Sequence, residues 1–229
     1  MNAFRSIEWL DEGIVRMLDQ RKIPRETVYN DYTTHSEVAQ AIKDMVIRGA
    51  PAIGAAAAYG LALTAHHSQV ADAETLRAEL ADASNVLARS RPTAVNLFWA
   101  LNRMNDRIAD PALDSVVTLQ KATLAEAHAI AEEDVAINKA IGKNAQSLIP
   151  QKATIIHHCN TGSLATVDYG TALGVIRMAH ELGKDIFALL DETRPRLQGG
   201  RLSAYELKEQ GGPFKVIVDG ASGHFMRTL

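Results

Sequence analysis

Hydrophobic and polar positions change their period several times along the chain, and the clearest change divides it near Pro150. At the start, Ile7, Trp9 and Leu10 run into Asp11-Glu12-Gly13, and Ile14 to Leu18 run out of it; the pattern predicts two short strands joined by a turn. Pro24 interrupts the chain before a third short run, Thr27-Val28-Tyr29. From about His35 the spacing becomes helical. Ser36 is placed to cap a helix carrying Val38, Ile42, Met45 and Val46, which stops at Arg48-Gly49. Pro51 suits the first turn of the next helix, whose Gly/Ala-rich run AIGAAAAYGLALTA predicts a buried, closely packed element. Residues 72–90 form an amphipathic pattern ending at Arg89-Ser90-Arg91-Pro92, and Pro92 or Thr93 opens another helix with Val95, Leu97, Phe98, Trp99 and Leu101. From Pro111 to about Leu148 the pattern predicts one long connecting helix.

After Pro150 the order becomes strand, helix, strand: a strand over Ala153 to His157, a polar turn Cys159-Asn160-Thr161-Gly162-Ser163, and a helix ending at Gly183. Ile186 to Leu190, Leu202 to Gln210 and Phe214 to Val218 continue as strand, helix and strand. Apolar strands alternating with helices imply a parallel sheet with right-handed crossovers. The expected fold is therefore α/β: a small β plus helical N-terminal domain over 1–150, then the first part of a Rossmann-like parallel-sheet domain over 151–229. With three strands that second domain reads as incomplete at its C-terminus.

Composition narrows the classes. With 229 residues, 47% of them hydrophobic, the chain can bury a substantial core. A net charge of −3 leaves no basic footprint for nucleic acid or an anionic membrane. One cysteine excludes an internal disulfide framework and fits a reducing compartment. The opening residues lack a signal-peptide apolar run, and nothing approaches the ~18 uncharged apolar residues that span a bilayer, so the expectation is a soluble, cytoplasmic protein. There is neither a GxGxxG nor a GxxxxGK[ST] motif, and no HxxxH, CxxC or carboxylate cluster that suggests a metal; no cofactor and no metal are expected.

The candidate chemistry centres on Cys159. A strand that runs into a small, Gly-containing turn at the mouth of a helix offers unpaired N–H groups to an anion, and a thiol there can act as acid, nucleophile or stabiliser. Arg48 and Arg91 each stand immediately before a helix start, where a permanent cation beside free N–H groups suits a phosphate; a surface ion pair is the competing reading for Arg48, and two helix-end arginines also occur by chance. Gln198 lies in the arginine- and glycine-rich loop RPRLQGGRL. His157 and His158 are adjacent in a strand and so face opposite ways, one toward the core. Asp191, Glu192 and Asp219 at strand ends read as caps or as acceptors of sugar hydroxyls. Together these features suggest a sugar-phosphate site containing a thiol.

Four ordered segments, IRGAPAIGAAAAYG, RPTAVNLFWA, HHCNTGSLAT and DETRPRLQGGRLSAYEL, together with the opening IEWLDEGIVRMLDQRKIP, resemble the methylthioribose-1-phosphate isomerase family. That family belongs with the regulatory subunits of translation initiation factor 2B and with archaeal ribose-1,5-bisphosphate isomerase. The resemblance implies a homodimer without cofactor or metal that converts the small-molecule sugar phosphate 5-methylthioribose 1-phosphate to its ketose in methionine salvage. It also implies that Cys159 is catalytic and that Arg48, Gly49, Ala50, Arg91 and Gln198 bind substrate. The family's catalytic aspartate sits one strand further on than Asp219, so by this likeness the chain is C-terminally truncated before it. A non-catalytic homologue like the initiation-factor subunits, or an isomerase of ribose 1,5-bisphosphate or 5-deoxyribose 1-phosphate, remain the alternatives.

Overall fold

The structure, a computed structural model, describes residues 5–229. These fold as two compact units: 6–21 with 28–134, and 5, 22–27 and 135–229. The first begins with an antiparallel meander, β1 (Ile7–Leu10), β2 (Ile14–Leu18) and β3 (Tyr29–Tyr32), in the order β1-β2-β3. Trp9 pairs with Val15 and Leu10 with Ile14, and the Gly13 N–H returns to Leu10 O at 3.1 Å, which closes the predicted turn.

Helix α1 (His35–Lys43) is capped by Thr34, not by the expected Ser36. The reason is reciprocal: Thr34 Oγ1 accepts the Glu37 N–H at 3.2 Å while Glu37 Oε2 accepts the Thr34 N–H at 3.0 Å, a capping box that requires the acidic residue three positions on. The helix also stops earlier than Arg48, because Met45 takes a left-handed φ of 60° and Val46 and Ile47 turn into the core from a loop. Helix α2 (Ala50–His67) is buried on nearly every side and packs against α1, α3 (Ala73–Ala88) and α4 (Val95–Ile108). Its small residues permit that approach, while Tyr59, Leu61 and Leu63 each contribute roughly 1.5–3 kcal/mol of burial. The opening of α4 falls at Val95, later than the expected Pro92 or Thr93. Arg91 to Ala94 instead form a turn closed by the Ala94 N–H on Arg91 O at 3.0 Å, with Pro92 at the position where its fixed φ is favourable. Helix α5 (Val116–Ala145) is a single run of 30 residues, starting five residues after Pro111 and followed by a 3-10 turn over Gln146–Leu148.

The second unit is the expected parallel sheet: β4 (Lys152–His157), β5 (Asp185–Asp191) and β6 (Phe214–Ile217) in the order β4-β5-β6. Helices α6 (Ala172–Glu181), α7 (Ala204–Gln210) and α8 (Ser222–Thr228) follow the strands in turn, and Leu173, Ile176, Ile186, Leu190 and Leu207 form its core. The stretch 22–27 belongs to this unit: Arg201 Nη2 donates to Ile23 O at 2.9 Å, and Thr27 Oγ1 lies 2.7 Å from the Tyr205 hydroxyl. Among the described residues no helix is long and apolar enough to cross a membrane.

The chain does not pass straight from β4 into α6. Residues 158–171 form a folded loop, pinned by the Thr171 N–H on Thr161 O at 2.8 Å and built around a carboxylate from α7. Glu206 is fully buried, and it accepts the N–H groups of Ser163 at 2.6 Å and Leu164 at 3.2 Å and the Asn160 side-chain amide at 2.7 Å. A Cβ at Gly162 would lie 2.1 Å from Glu206 Oε2, so only glycine lets the carboxylate in. Beside it Arg177, 8% exposed, bonds Glu181 at 2.9 Å and stacks 4.4 Å above the Tyr169 ring, whose hydroxyl donates to Glu181 Oε2 at 2.7 Å.

Removing the buried carboxylate strands two backbone donors and an amide. Glu206→Ala is expected to cost roughly 3 kcal/mol or more in urea denaturation, and a loss below about 1 kcal/mol would contradict this construction of the loop. His157, the last residue of β4, faces the core as one of the two histidines should, while the His158 side chain is exposed. Burial, and to a lesser degree the charge of His158, push the His157 imidazole from 6.5 down to about 4 against the opposing pull of Asp191. Between those values the unfolded chain binds a proton that the folded chain refuses. This stability is therefore complete above pH ~6.5 and is lost as pH falls toward 4, by up to about 3 kcal/mol. His157→Gln should flatten the fall in stability from pH 7 to pH 4; equal slopes in the two proteins would overturn the assignment.

Candidate active site

The sheet presents its polar residues at the carboxyl ends of its strands, the position where open α/β sheets bind ligands. Cys159 follows β4 and is partly exposed. It does not sit at a helix N-terminus, as the sequence suggested. Helix α6 starts only at Ala172, and the N–H groups at the intervening 3-10 turn, Ser163–Ala165, are already used by the chain's own anion, Glu206. Cys159 instead adopts a left-handed φ of 68°. Its N–H donates to Thr193 Oγ1 at 2.8 Å, and its carbonyl accepts from Ser203 Oγ at 2.8 Å.

The exit of β5 is equally constrained. Thr193 also has a left-handed φ, 61°, an uncommon conformation for a β-branched residue. Its N–H and that of Arg194 both donate to the Asp219 carboxylate, at 2.7 and 2.8 Å, and these bonds hold Asp219 below the usual carboxylate range, the Arg194 bond most strongly. Asp219 thus closes a loop and caps no helix. Asp191, buried, accepts from Ser222 Oγ at 2.5 Å and faces His158 Nδ1 at 2.9 Å, so it too departs from the capping role. His158, Asp191 and Asp219 place one ligand atom each within 4.8 Å of one another, a grouping the sequence did not suggest. Gln198 stands in the π-helical turn region before α7, and its Oε1 is buried without a hydrogen-bond partner among the described residues. Next to it, a Cβ on Gly199 would lie 1.8 Å from Asp191 O, so the loop closes onto β5 only with glycine there.

Arg48, Gly49, Ala50 and Arg91 belong to the first unit. Gly49 is the N-cap of α2 with φ 97°, a conformation that favours glycine, and Ala50 is the first helical residue. Helices α1 and α3 are capped by the side chains of Thr34 and Asp72, whereas α2 and α4, the two preceded by Arg48 and Arg91, have no side-chain cap among the described residues. Neither Gly49 nor Ala94 has a side chain able to accept from the amino end of its helix, and the positive dipole end of a helix favours an anion. Arg91 Nη1 is likewise buried without a hydrogen-bond partner among the described residues.

Thr193, Ser203 and Glu206 were not singled out from the sequence. One signal for Glu206 was present: it falls four residues after Leu202 and beside Leu207, on the apolar stripe of its helix, where a carboxylate must find buried donors.

Residues 46–229 match the model of the initiation factor 2 subunit family. The chain is similar to methylthioribose-1-phosphate isomerase from Synechococcus sp., at 59% identity over 99% of this chain and 65% of that protein. It is also similar to methylthioribose-1-phosphate isomerase 2 from Pseudothermotoga lettingae, at 57% identity over 100% of this chain and 65% of the relative. Among solved structures, 5-methylthioribose 1-phosphate isomerase from Pyrococcus horikoshii superposes with a TM-score of 0.93 at 42% identity, over 97% of this chain and 62% of that one. The delta subunit of translation initiation factor 2B from A. fulgidus gives 0.90, also at 42% identity, over 98% and 65%. The chain therefore spans 65% of the length of the curated relatives it matches. With four-fifths of its residues under one family model and its fold reproduced in both solved relatives, the chain belongs to the initiation factor 2 subunit family.

Proposed function

We propose that the chain serves an aldose–ketose isomerase that converts 5-methylthioribose 1-phosphate to 5-methylthioribulose 1-phosphate in methionine salvage. Identities of 59 and 57% to proteins bearing the isomerase name favour this over a non-catalytic role or a different C5 substituent. The observation that carries the reading is that Arg91 Nη1 and Gln198 Oε1, at two of the positions the resemblance gives to substrate, are among the buried polar atoms without a hydrogen-bond partner among the described residues. A buried donor or acceptor without a partner is costly, and a ligand that supplies the partner recovers that cost on binding. In this proposal Arg48 and Arg91, with the backbone at Gly49 and Ala50, hold the phosphate, and Gln198 bonds a sugar hydroxyl.

The reaction sets its own demands. With the anomeric oxygen phosphorylated, the ring cannot open through a free hemiacetal. The bond from C1 to the ring oxygen must break with a proton delivered to that oxygen, hydrogen must pass from C2 to C1, and the C2 hydroxyl must lose its proton. A firmly held phosphate is kept from leaving during these steps. Cys159, beyond the end of β4, is the group we assign to the hydrogen transfer. A cytoplasmic homodimer is part of the same proposal.

The test is turnover of 5-methylthioribose 1-phosphate by the natural gene product. Cys159→Ala and Arg91→Ala should each lower it by at least about 10²-fold with the protein still folded. Normal turnover in either variant would remove that residue from the site.

A further inference from the structure

Two residues without glycine's freedom share left-handed backbone at one place, and each is bonded to the other. Cys159 has φ 68° and Thr193 φ 61°, and the Cys159 N–H donates to Thr193 Oγ1 at 2.8 Å. Such conformations are costly and persist only where the surroundings over-determine them. Here they do. The hydroxyl of Thr193, a residue 6% exposed, donates to Asp191 O at 3.1 Å, so it is oriented as an acceptor toward Cys159. The Thr193 and Arg194 N–H groups are both taken by Asp219. On the other side of Cys159 its carbonyl receives the Ser203 hydroxyl, which in turn accepts from the Asn160 amide at 3.2 Å. The cysteine backbone is thus gripped on both flanks by hydroxyls from two different segments, the exit of β5 and the turn before α7.

We propose that Thr193, held by Asp219, is a positioning residue of the isomerase: its hydroxyl fixes the backbone of Cys159 and thereby the direction in which the thiol meets the substrate. A change of Cys159 from left-handed to extended backbone redirects its side chain, so without the Thr193 acceptor the residue can relax and carry the thiol away from the reacting carbons. Neither Thr193 nor Asp219 touches substrate in this role. The inference rests on the assignment of Cys159 to the hydrogen transfer, and the experiment separates the two.

Thr193→Val keeps the branched shape and removes the acceptor; Thr193→Ser keeps the acceptor. In the natural gene product, Thr193→Val should lower kcat by about 10²-fold, as expected for a displaced reacting group, and leave KM within a few-fold. Thr193→Ser should recover most of kcat. If Thr193→Val does not fold, Asp219→Asn, on the less buried flank of the bracket, should show the same loss in kcat at nearly constant KM. An unchanged kcat in the folded variants, or a loss that Thr193→Ser does not repair, overturns the positioning role while an inactive Cys159→Ala leaves the proposed function standing. An active Cys159→Ala overturns both.

Discussion

A buried carboxylate organises the site-bearing half of this molecule. Glu206 sits at full burial, and it accepts two backbone N–H groups and an amide from the loop after β4. Those donors determine where the loop goes, and the loop determines where Cys159 stands. The same helix start contributes Ser203, which takes the carbonyl of Cys159, so one short segment anchors both the loop and the thiol-bearing residue. An apolar residue at 206 would leave the loop's donors unpaired and the cysteine free to choose an ordinary extended backbone.

The first unit solves a complementary problem. Three of its helices, α1, α3 and α5, begin on a side-chain cap from Thr34, Asp72 and Ser115, whereas α2 and α4 do not, and an arginine precedes each of the latter. Stability alone would favour a cap at every amino end, at about 1 kcal/mol apiece. Under the proposed function, the missing caps at α2 and α4, which follow Arg48 and Arg91 in the chain, trade local stability for affinity toward an anion.

Much of this was legible in the chain. The meander, the buried Gly/Ala helix and the alternation of strand and helix after Pro150 follow from hydrophobic period and from punctuation by glycine and proline, which act locally. His157 facing inward follows from the two-residue period of a strand. The misplaced boundaries share a physical cause: Ser36, Arg48 and Thr93 each had the right residue type for a helix end, and partners elsewhere decided the matter. Thr34 won because Glu37 could reciprocate; the Arg91 to Ala94 turn won because Pro92 fits its second position. The largest miss, Cys159 at the mouth of a helix, came from treating a fourteen-residue folded loop as a tight turn. Nothing local announces that the loop's anion comes from Glu206, 42 residues beyond Leu164.

Both tryptophans of this chain, Trp9 in β1 and Trp99 in α4, lie in the first unit, and the only cysteine lies in the second. Trp9 is ringed by Tyr59, His66 and His128 at 5.7 to 6.4 Å, whereas Trp99 is 49% exposed with the Arg103 guanidinium over its ring. Indole fluorescence therefore watches the first unit alone, and thiol labelling watches the second alone. The molecule carries two optical and chemical reporters that do not overlap, and the order in which its halves come apart can be followed without adding a probe.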